Sequence, residues 1–200
     1  KILAIFVAVA MVFGSFAPAF ADTAAVDTET VDAAATVAEK KSAAFTDTAG
    51  HWGEAAIEKW AGYEIIKGYE GLFRPEDPIT RGEMAVILDN MMDYQKAASN
   101  SFTDLQAGQF YTDAVLKANM AGIIKGDGKT VRPTDKITKE EAAVMFSRAF
   151  AVAEVSSTKA FTDASDVSSW AKGAVFGLEA KGYVSGYGGA FNPKASITRA

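Results

Sequence analysis

Apolar residues recur at helical intervals in several separate parts of this chain. In WGEAAIEKWAGYEIIKG, residues 52–68, they lie three or four positions apart, and a glycine follows the last of them. RGEMAVILDNMMDY, residues 81–94, and KEEAAVMFSRAF, residues 139–150, carry apolar stripes of the same period. This period predicts amphipathic helices that bury one face. The intervening GYEGLFRPEDPIT, residues 68–80, is dense in glycine and proline and indicates an ordered loop.

This pattern of helix, loop and helix occurs three times. The tripeptide Phe-Thr-Asp opens a unit at residue 45 and returns after 57 and then 59 residues. A key aromatic and a glycine are 16 residues apart in every copy, and that glycine and a threonine are 12 apart, which indicates fixed geometry. A period of this length is typical of stacked supersecondary units that share a core. The aromatics are Trp52, Phe110 and Trp170, the glycines are Gly68, Gly126 and Gly186, and the threonines are Thr80, Thr138 and Thr198.

Each of these threonines is followed by a basic residue, which is Arg81, Lys139 or Arg199. In the two complete copies Glu83 and Glu141 stand three residues after the threonine, and this arrangement is the capping box of a helix start. A cation in the first helical turn is mildly unfavourable, because the helix dipole is positive there. Capping therefore explains the threonine and the glutamate but leaves the base unexplained.

The composition is that of an ordinary globular protein, with 49% hydrophobic and 22% charged residues. Residues 1–21 form an apolar run behind Lys1 with small residues at Ala19 and Ala21, and they predict a secretory signal peptide rather than a membrane anchor. Residues 22–44 are rich in alanine, threonine and acids and indicate an exposed spacer. The absence of cysteine excludes a thiol enzyme and a disulfide framework. The net charge of −5 argues against general affinity for nucleic acid or for an anionic membrane.

The third unit reaches Ala200 one residue after its base. We therefore expect the full-length protein to continue with the second helix of that unit and then with other domains. Lateral self-assembly of the protein would depend on such regions.

Three tandem units with this opening, aromatic-led helix, glycine, R-P or N-P loop and T-R-x-E cap closely resemble S-layer homology domains. The hallmark tetrapeptide of that family appears here as TRGE, as TKEE and as a truncated TRA, so Lys139 departs from the family's arginine. The resemblance covers residues 45–200 and divides them into units at 45–101, 102–160 and 161–200, the last of them incomplete.

The resemblance implies a mainly α fold, in which three helix-loop-helix repeats pack as a three-pronged helical spindle with pseudo-threefold symmetry. It also implies that grooves between neighbouring repeats bind cell-wall polysaccharide, usually a secondary polymer that carries pyruvate ketals on N-acetylmannosamine. The protein would then be attached non-covalently to the wall after secretion. Modified peptidoglycan is the alternative ligand.

A bound carboxylate would explain the three bases. A helix N-terminus favours an anion, and a basic side chain in the same turn adds a charge-assisted hydrogen bond. Arginine offers a planar fork and lysine only a point charge, so we expect the site that uses Lys139 to be the weaker one. This hypothesis predicts that Arg81→Ala weakens wall binding with little loss of fold.

Other residues of the units have both a ligand-binding and a structural interpretation. By the resemblance the aromatics lie near the sugar, although an aromatic at a helix start is commonly a core residue or a staple. The glycines would let backbone approach the ligand, or they cap the first helices. Three aspartates would accept sugar hydroxyls, or they organise turns. These aspartates are Asp47, Asp104 and Asp163, and we assign the neighbouring Phe45, Phe102 and Phe161 to the core.

The loop residues before proline are Arg74, Arg132 and Asn192. Because the third copy differs, a site-specific contact is favoured over a shared structural role for them.

Catalytic and cofactor sites are not predicted. GDGKT at residues 126–130 lacks the first glycine and the preceding strand of a phosphate-binding loop. A single histidine, His51, excludes a multi-histidine metal centre. The repeats are therefore predicted to bind rather than to catalyse. The rival hypothesis is that they anchor an exported polysaccharide-degrading enzyme whose catalytic domain lies beyond residue 200, and a third is that they tie an outer membrane to peptidoglycan.

Overall fold

The structure of this chain is a computed structural model that describes residues 45–157 and 160–200. The predicted signal peptide and the predicted spacer lie outside the described residues. The described part forms five α-helices, and its paired extended backbone is limited to isolated bridges, so the mainly α prediction is confirmed. The helices are α1 (Glu54–Gly62), α2 (Arg81–Met92), α3 (Thr112–Met120), α4 (Lys139–Ala149) and α5 (Lys172–Ala180), and a short 3₁₀ turn covers Ala164–Asp166.

The first helix of each unit is shorter than predicted. Helix α1 ends at Gly62 and not near Gly68. Glu64 then adopts a left-handed φ of 61°, and Gly122 and Gly182 hold the corresponding place in the other copies with φ of 76° and 70°. The prediction was wrong because Ile65 and Ile66 continue the apolar period beyond this break. The glycines at 122 and 182 were the signal for the helix end.

Gly68, Gly126 and Gly186 are therefore not helix caps, and that interpretation is wrong. A Cβ atom at Gly68 would clash with the carbonyl oxygen of Leu72, and one at Gly126 would clash with that of Thr130. At Gly186 the same clash would occur at 2.8 Å from the oxygen of Ala190. Glycine allows the loop to fold back on itself at these three places, and a role towards ligand stays a prediction.

Both predicted capping boxes are present. The hydroxyl of Thr80 accepts from the Glu83 N–H at 3.2 Å, and the Glu83 carboxylate accepts from the Thr80 N–H at 2.8 Å. Thr138 and Glu141 repeat the arrangement at 3.3 and 3.0 Å. Helices α2 and α4 thus begin where the sequence predicted.

The segments that enter the second helices join the three repeats in a closed ring. The N–H of Ile137 donates to the carbonyl of Ile79 at 3.0 Å, that of Ile197 donates to Ile137 at 3.2 Å, and that of Ile79 donates to Ile197 at 3.1 Å. Each repeat is therefore bonded to both others, whereas a linear stack would leave the first and third apart. The three-pronged outline implied by the resemblance stays a prediction.

The core lies around this ring and between neighbouring repeats. Helix α2 packs on α3 of the second repeat, and α4 packs on α5 of the third. Phe102 and Phe161 are buried as predicted, whereas Phe45 at the edge of the described chain is only partly buried. The side chains without solvent contact include Leu88, Ala118, Ile137, Ala142, Val175 and Leu178.

Thr80→Ala is expected to lower the free energy of unfolding by about 1 kcal/mol, because it leaves the Glu83 N–H without its acceptor. Urea unfolding followed by circular dichroism measures the change. Thr134→Ala, at an exposed loop position, is the matched control. An unfolding midpoint equal to that of the control would contradict a stabilising role for the cap.

Candidate ligand-binding grooves

A groove of about 450 Å³ lies where the three repeats meet. Gly68 and Phe73 of the first repeat line it, together with Phe110 of the second and Arg199 of the third. Three residues that were predicted to bind ligand are thus brought together, and each comes from a different repeat. The predicted position between repeats is consistent with this geometry.

Arg199 is fixed at the wall of this groove by contacts with the first repeat. Its Nε donates to the carbonyl of Phe73 at 2.7 Å, and its Nη2 donates to that of Lys67 at 2.8 Å. Its Nη1 lies 3.0 Å from an oxygen of Glu83, and the guanidinium lies 4.7 Å from the centre of the Phe73 ring. The base is therefore held in one orientation before any ligand arrives, which reduces the ordering cost of binding.

Arg81 makes the corresponding contacts with the second repeat. Its Nε donates to the carbonyl of Val131 at 3.0 Å, and its Nη1 lies 3.1 Å from Glu141. The residue is buried, and this burial lowers the pKa of its guanidinium while Glu141 works in the opposite direction. The guanidinium remains charged, because arginine titrates far above neutral pH.

The capping-box glutamates hold these bases. One carboxylate oxygen of Glu83 accepts from the start of its own helix, and the other accepts from Arg199 of the third repeat. Glu141 divides its oxygens in the same way between Thr138 and Arg81. The positive charge of each arginine is thus balanced by a carboxylate of the protein itself. This second function of the glutamate was not predicted, because capping alone already explained the residue.

This geometry overturns the expectation that Arg81→Ala would leave the fold almost unchanged. Removal of the guanidinium would leave the Val131 carbonyl without this donor and would take from the half-buried Glu141 the more buried of its two arginine partners. Loss of one member of such a pair is commonly more costly than loss of both.

Lys139 lies at the contact between the second and third repeats, where its N–H donates to the carbonyl of Ala195 at 2.9 Å. It is half-buried, and its Nζ lies 5.5 Å from the centre of the Phe191 ring. Burial lowers the pKa of Lys139, and the negative charge of Asp163 partly opposes that shift. The sequence ends one residue before the position that corresponds to Glu83 and Glu141. Lys139 makes no ion pair with any other described residue.

The three key aromatics are exposed. Trp52 is 62% exposed, Phe110 is 72% exposed and Trp170 is 57% exposed, so their interpretation as core residues is wrong. Phe110 lines the large groove, and Trp52 lines a smaller hollow beside Arg199. A large apolar side chain that is kept in solvent is a candidate contact for a ligand. Their role towards a sugar stays a prediction.

The three aspartates organise the loops of their own repeats. Asp47 accepts from the N–H groups of Phe73 and Arg74 at 2.8 and 2.6 Å, and these bonds, that of Phe73 first, hold its pKa below its usual value. Asp104 binds the N–H groups of residues 131 and 132, and Asp163 those of 191 and 192. The structural interpretation of these aspartates is supported, and acceptance of sugar hydroxyls stays a prediction.

Arg74, Arg132 and Asn192 share a backbone conformation, with left-handed φ of 58°, 51° and 55°. Their N–H groups all bind the aspartate of their repeat. The preference for a purely site-specific role was therefore wrong. Arg132 has a contact of its own as well, because its Nη2 donates to Glu141 at 2.8 Å.

Glu141→Gln is expected to destabilise the protein at neutral pH. Burial raises the pKa of Glu141, but the Thr138 N–H and the charges of Arg81 and Arg132 outweigh that effect and lower it overall. As the pH falls, this glutamate therefore takes up its proton in the unfolded state before it does so in the native state. The stability from this charge is complete above about pH 5 and is lost as the pH falls through the native pKa.

Urea midpoints of wild type and Glu141→Gln at neutral and acid pH measure this linkage, with Glu70→Gln at an exposed turn as the control. The gap between wild type and Glu141→Gln should narrow in acid. A gap of constant size at every pH would show that the charge of Glu141 contributes nothing.

The sequence matches a model of the S-layer homology domain at residues 44–85, 101–143 and 160–200. An exoglucanase of Acetivibrio thermocellus is 33% identical over 80% of this chain, which spans 16% of that protein. The S-layer protein sap of Bacillus anthracis is 32% identical over 76% of this chain, which spans 19% of its length. A cellulosome-anchoring protein of Acetivibrio thermocellus is 35% identical over 68% of this chain, which spans 33% of it. The chain thus corresponds to a minor part of each of these longer relatives.

Among the helices of the described residues, none has the length and the apolar character needed to cross a membrane.

Proposed function

Since the chain belongs to the S-layer homology domain family, whose members anchor proteins at the cell surface, we propose that it binds an anionic cell-wall polysaccharide in the grooves between its repeats. An exported surface protein would thereby be held non-covalently on the wall. The observation that carries this proposal is the groove in which Gly68, Phe110 and Arg199 meet.

The charges around the groove support an anionic ligand. Its lining holds three bases, Lys67, Arg74 and Arg199, against two acids, Asp77 and Glu83. The chain as a whole carries a net charge of −5, so the groove departs in sign from the molecule around it. A local positive site on an acidic protein favours a specific anion over general attraction to polyanions.

The apolar part of the lining supports a sugar rather than a small inorganic anion. Ile65, Leu72 and Ile87 line the groove, and the exposed ring of Phe110 stands at its wall. Ligand sites commonly combine such an apolar surface with a few polar groups that fix orientation. A sugar that carries a carboxylate, such as a pyruvate ketal of N-acetylmannosamine, presents both kinds of surface.

Arg81 and Lys139 are proposed to serve the other two grooves. Lysine offers a single charge without the planar fork, so the groove of Lys139 should hold a carboxylate more weakly. The aromatics Trp52 and Trp170, the glycines Gly126 and Gly186, and the three aspartates complete the proposed set of ligand-binding residues.

A second candidate function has support from the relatives. The exoglucanase is an enzyme, and an amylopullulanase of Thermoanaerobacterium thermosulfurigenes is 32% identical over 78% of this chain, which spans 9% of it. The same wall-binding repeats could thus anchor an exported polysaccharide-degrading enzyme. The sequence beyond residue 200 distinguishes the two, since a catalytic domain would carry paired carboxylates in a cleft.

Phe110→Ala is expected to weaken binding to wall sacculi several-fold and to leave the unfolding midpoint unchanged, because the ring is exposed. Co-sedimentation of the protein with sacculi measures the binding. Met120→Ala, which removes another exposed apolar side chain of the second repeat, is the matched control. Equal sedimentation of the two variants would contradict a ligand role for Phe110.

The same assay with sacculi stripped of secondary polymer by acid identifies the ligand. Binding that is lost on stripping supports the polysaccharide. Binding that is retained would identify peptidoglycan as the ligand instead. An absence of binding to both preparations would contradict wall anchoring.

A further inference from the structure

The loop of each repeat makes a tight turn directly after its glycine, and the first residue of that turn differs between repeats. It is Tyr69 in the first, Asp127 in the second and Tyr187 in the third. The backbone bond is common to all three, because this residue donates its N–H to the carbonyl three positions later at 2.9, 3.1 and 2.9 Å. The turns are therefore equivalent in place, and their side chains can be compared directly.

In the first and third repeats the backbone alone closes the turn. Leu72 returns an N–H to Tyr69 at 3.0 Å, and Ala190 returns one to Tyr187 at 3.1 Å. The two residues between them have left-handed φ in both cases, with 51° and 77° in the first repeat and 58° and 83° in the third. The tyrosine side chains are not needed for the turn, and they are 65% and 86% exposed.

In the second repeat a side chain closes the turn. The Asp127 carboxylate accepts from the N–H groups of Lys129 and Thr130 at 2.9 and 2.7 Å and from the hydroxyl of Thr130 at 2.7 Å. The hydrogen bonds from Thr130, that of its hydroxyl first, lower the pKa of Asp127 to about 2. This position therefore carries a full negative charge at neutral pH, where the other repeats carry an aromatic ring.

Tyr69 lies on the wall of the large groove together with Phe110 and Arg199. The groove thus presents two exposed aromatic rings and one fixed base. An aromatic face packs well against the apolar C–H face of a sugar, while its edge remains in water. Contact with a ligand would explain why an exposed tyrosine stands at a position where the turn does not need it.

We propose that Tyr69 is a specificity-determining residue, whose ring packs on the sugar in the large groove, here called the first groove. We propose further that an equivalent second groove lies beside Gly126, Asp127 and Arg81, and that Asp127 makes it the weaker of the two for an anionic saccharide. The inference rests on the proposed function. These two grooves are the informative comparison because both have an arginine, Arg199 in the first and Arg81 in the second. They differ at the turn by one aromatic ring and one negative charge.

The glycine amides allow each groove to be followed separately. Gly68 lies in the first groove, and Gly126 holds the corresponding place in the second. We suggest titration of ¹⁵N-labelled protein with the methyl glycoside of pyruvylated N-acetylmannosamine, with the two amide resonances observed together. In wild type the Gly68 resonance should reach half-saturation at about tenfold lower ligand concentration, as expected for one aromatic contact.

Variants at Tyr69 test the assignment. Tyr69→Ala should weaken the Gly68 titration about tenfold and leave that of Gly126 unchanged, while Tyr69→Phe should stay close to wild type because the ring face is kept. Tyr69→Asp should be weaker than Tyr69→Ala, since it places a negative charge in the first groove. This set leaves Asp127 intact, so a failure of the second turn to fold does not affect the result.

The possible outcomes distinguish a failure of this inference from a failure of the proposed function. Equal affinities of the two grooves in wild type, or a Gly68 titration that Tyr69→Ala does not change, would overturn the inference and leave the proposed function intact. Loss of binding in Tyr69→Phe equal to that in Tyr69→Ala would overturn packing of the ring face. A wild type in which neither resonance moves would overturn the proposed function together with the inference.

Discussion

Three peptide hydrogen bonds among Ile79, Ile137 and Ile197 close the chain into a ring, and the other contacts between repeats are arranged around them. A peptide group has one N–H donor, so each isoleucine can give a bond to only one neighbour, while its carbonyl receives one from the other. In a cycle of three repeats, the N–H and the carbonyl of every one of these isoleucines are paired. The ring places the start of α2 beside the loop of the second repeat, the start of α4 beside that of the third, and Arg199 beside that of the first, where the large groove lies.

The capping-box glutamates connect helix formation to the contact between repeats. A carboxylate has two oxygens, and each can accept more than one hydrogen bond. Glu83 and Glu141 each use one oxygen to cap their own helix and the other to bind an arginine of another repeat. The start of a helix and the position of the neighbouring repeat are therefore stabilised by one side chain. Arg199, held in this manner, presents a positive charge in a fixed orientation at the wall of the large groove, as the proposed recognition of a carboxylate requires.

Much of the organisation was predictable from the sequence, because repeated spacing is a strong constraint. The capping boxes at Thr80 and Thr138 and the burial of Phe102 and Phe161 followed from local patterns. The end of α1 did not, since apolar periodicity continues through Ile65 although the backbone turns at Glu64. The partners of Arg81 and Arg199 were also not predictable, because they lie in other repeats and depend on the ring. Three copies of a motif reveal a shared structure but not which copy contacts which.

The closure of the ring also bears on when the protein can acquire its structure. Arg199 bonds to the carbonyl of Phe73 across 126 residues of sequence, and Ile197 completes the cycle with Ile79. Loop closure over such a distance comes late in folding, because the chain must first bring its distant parts together. An exported chain emerges from the membrane with its first repeat ahead. The contacts between Arg199 and that repeat can therefore form only after the third repeat has emerged. The large groove, which has Arg199 in its lining, is therefore complete only after all three repeats have been secreted.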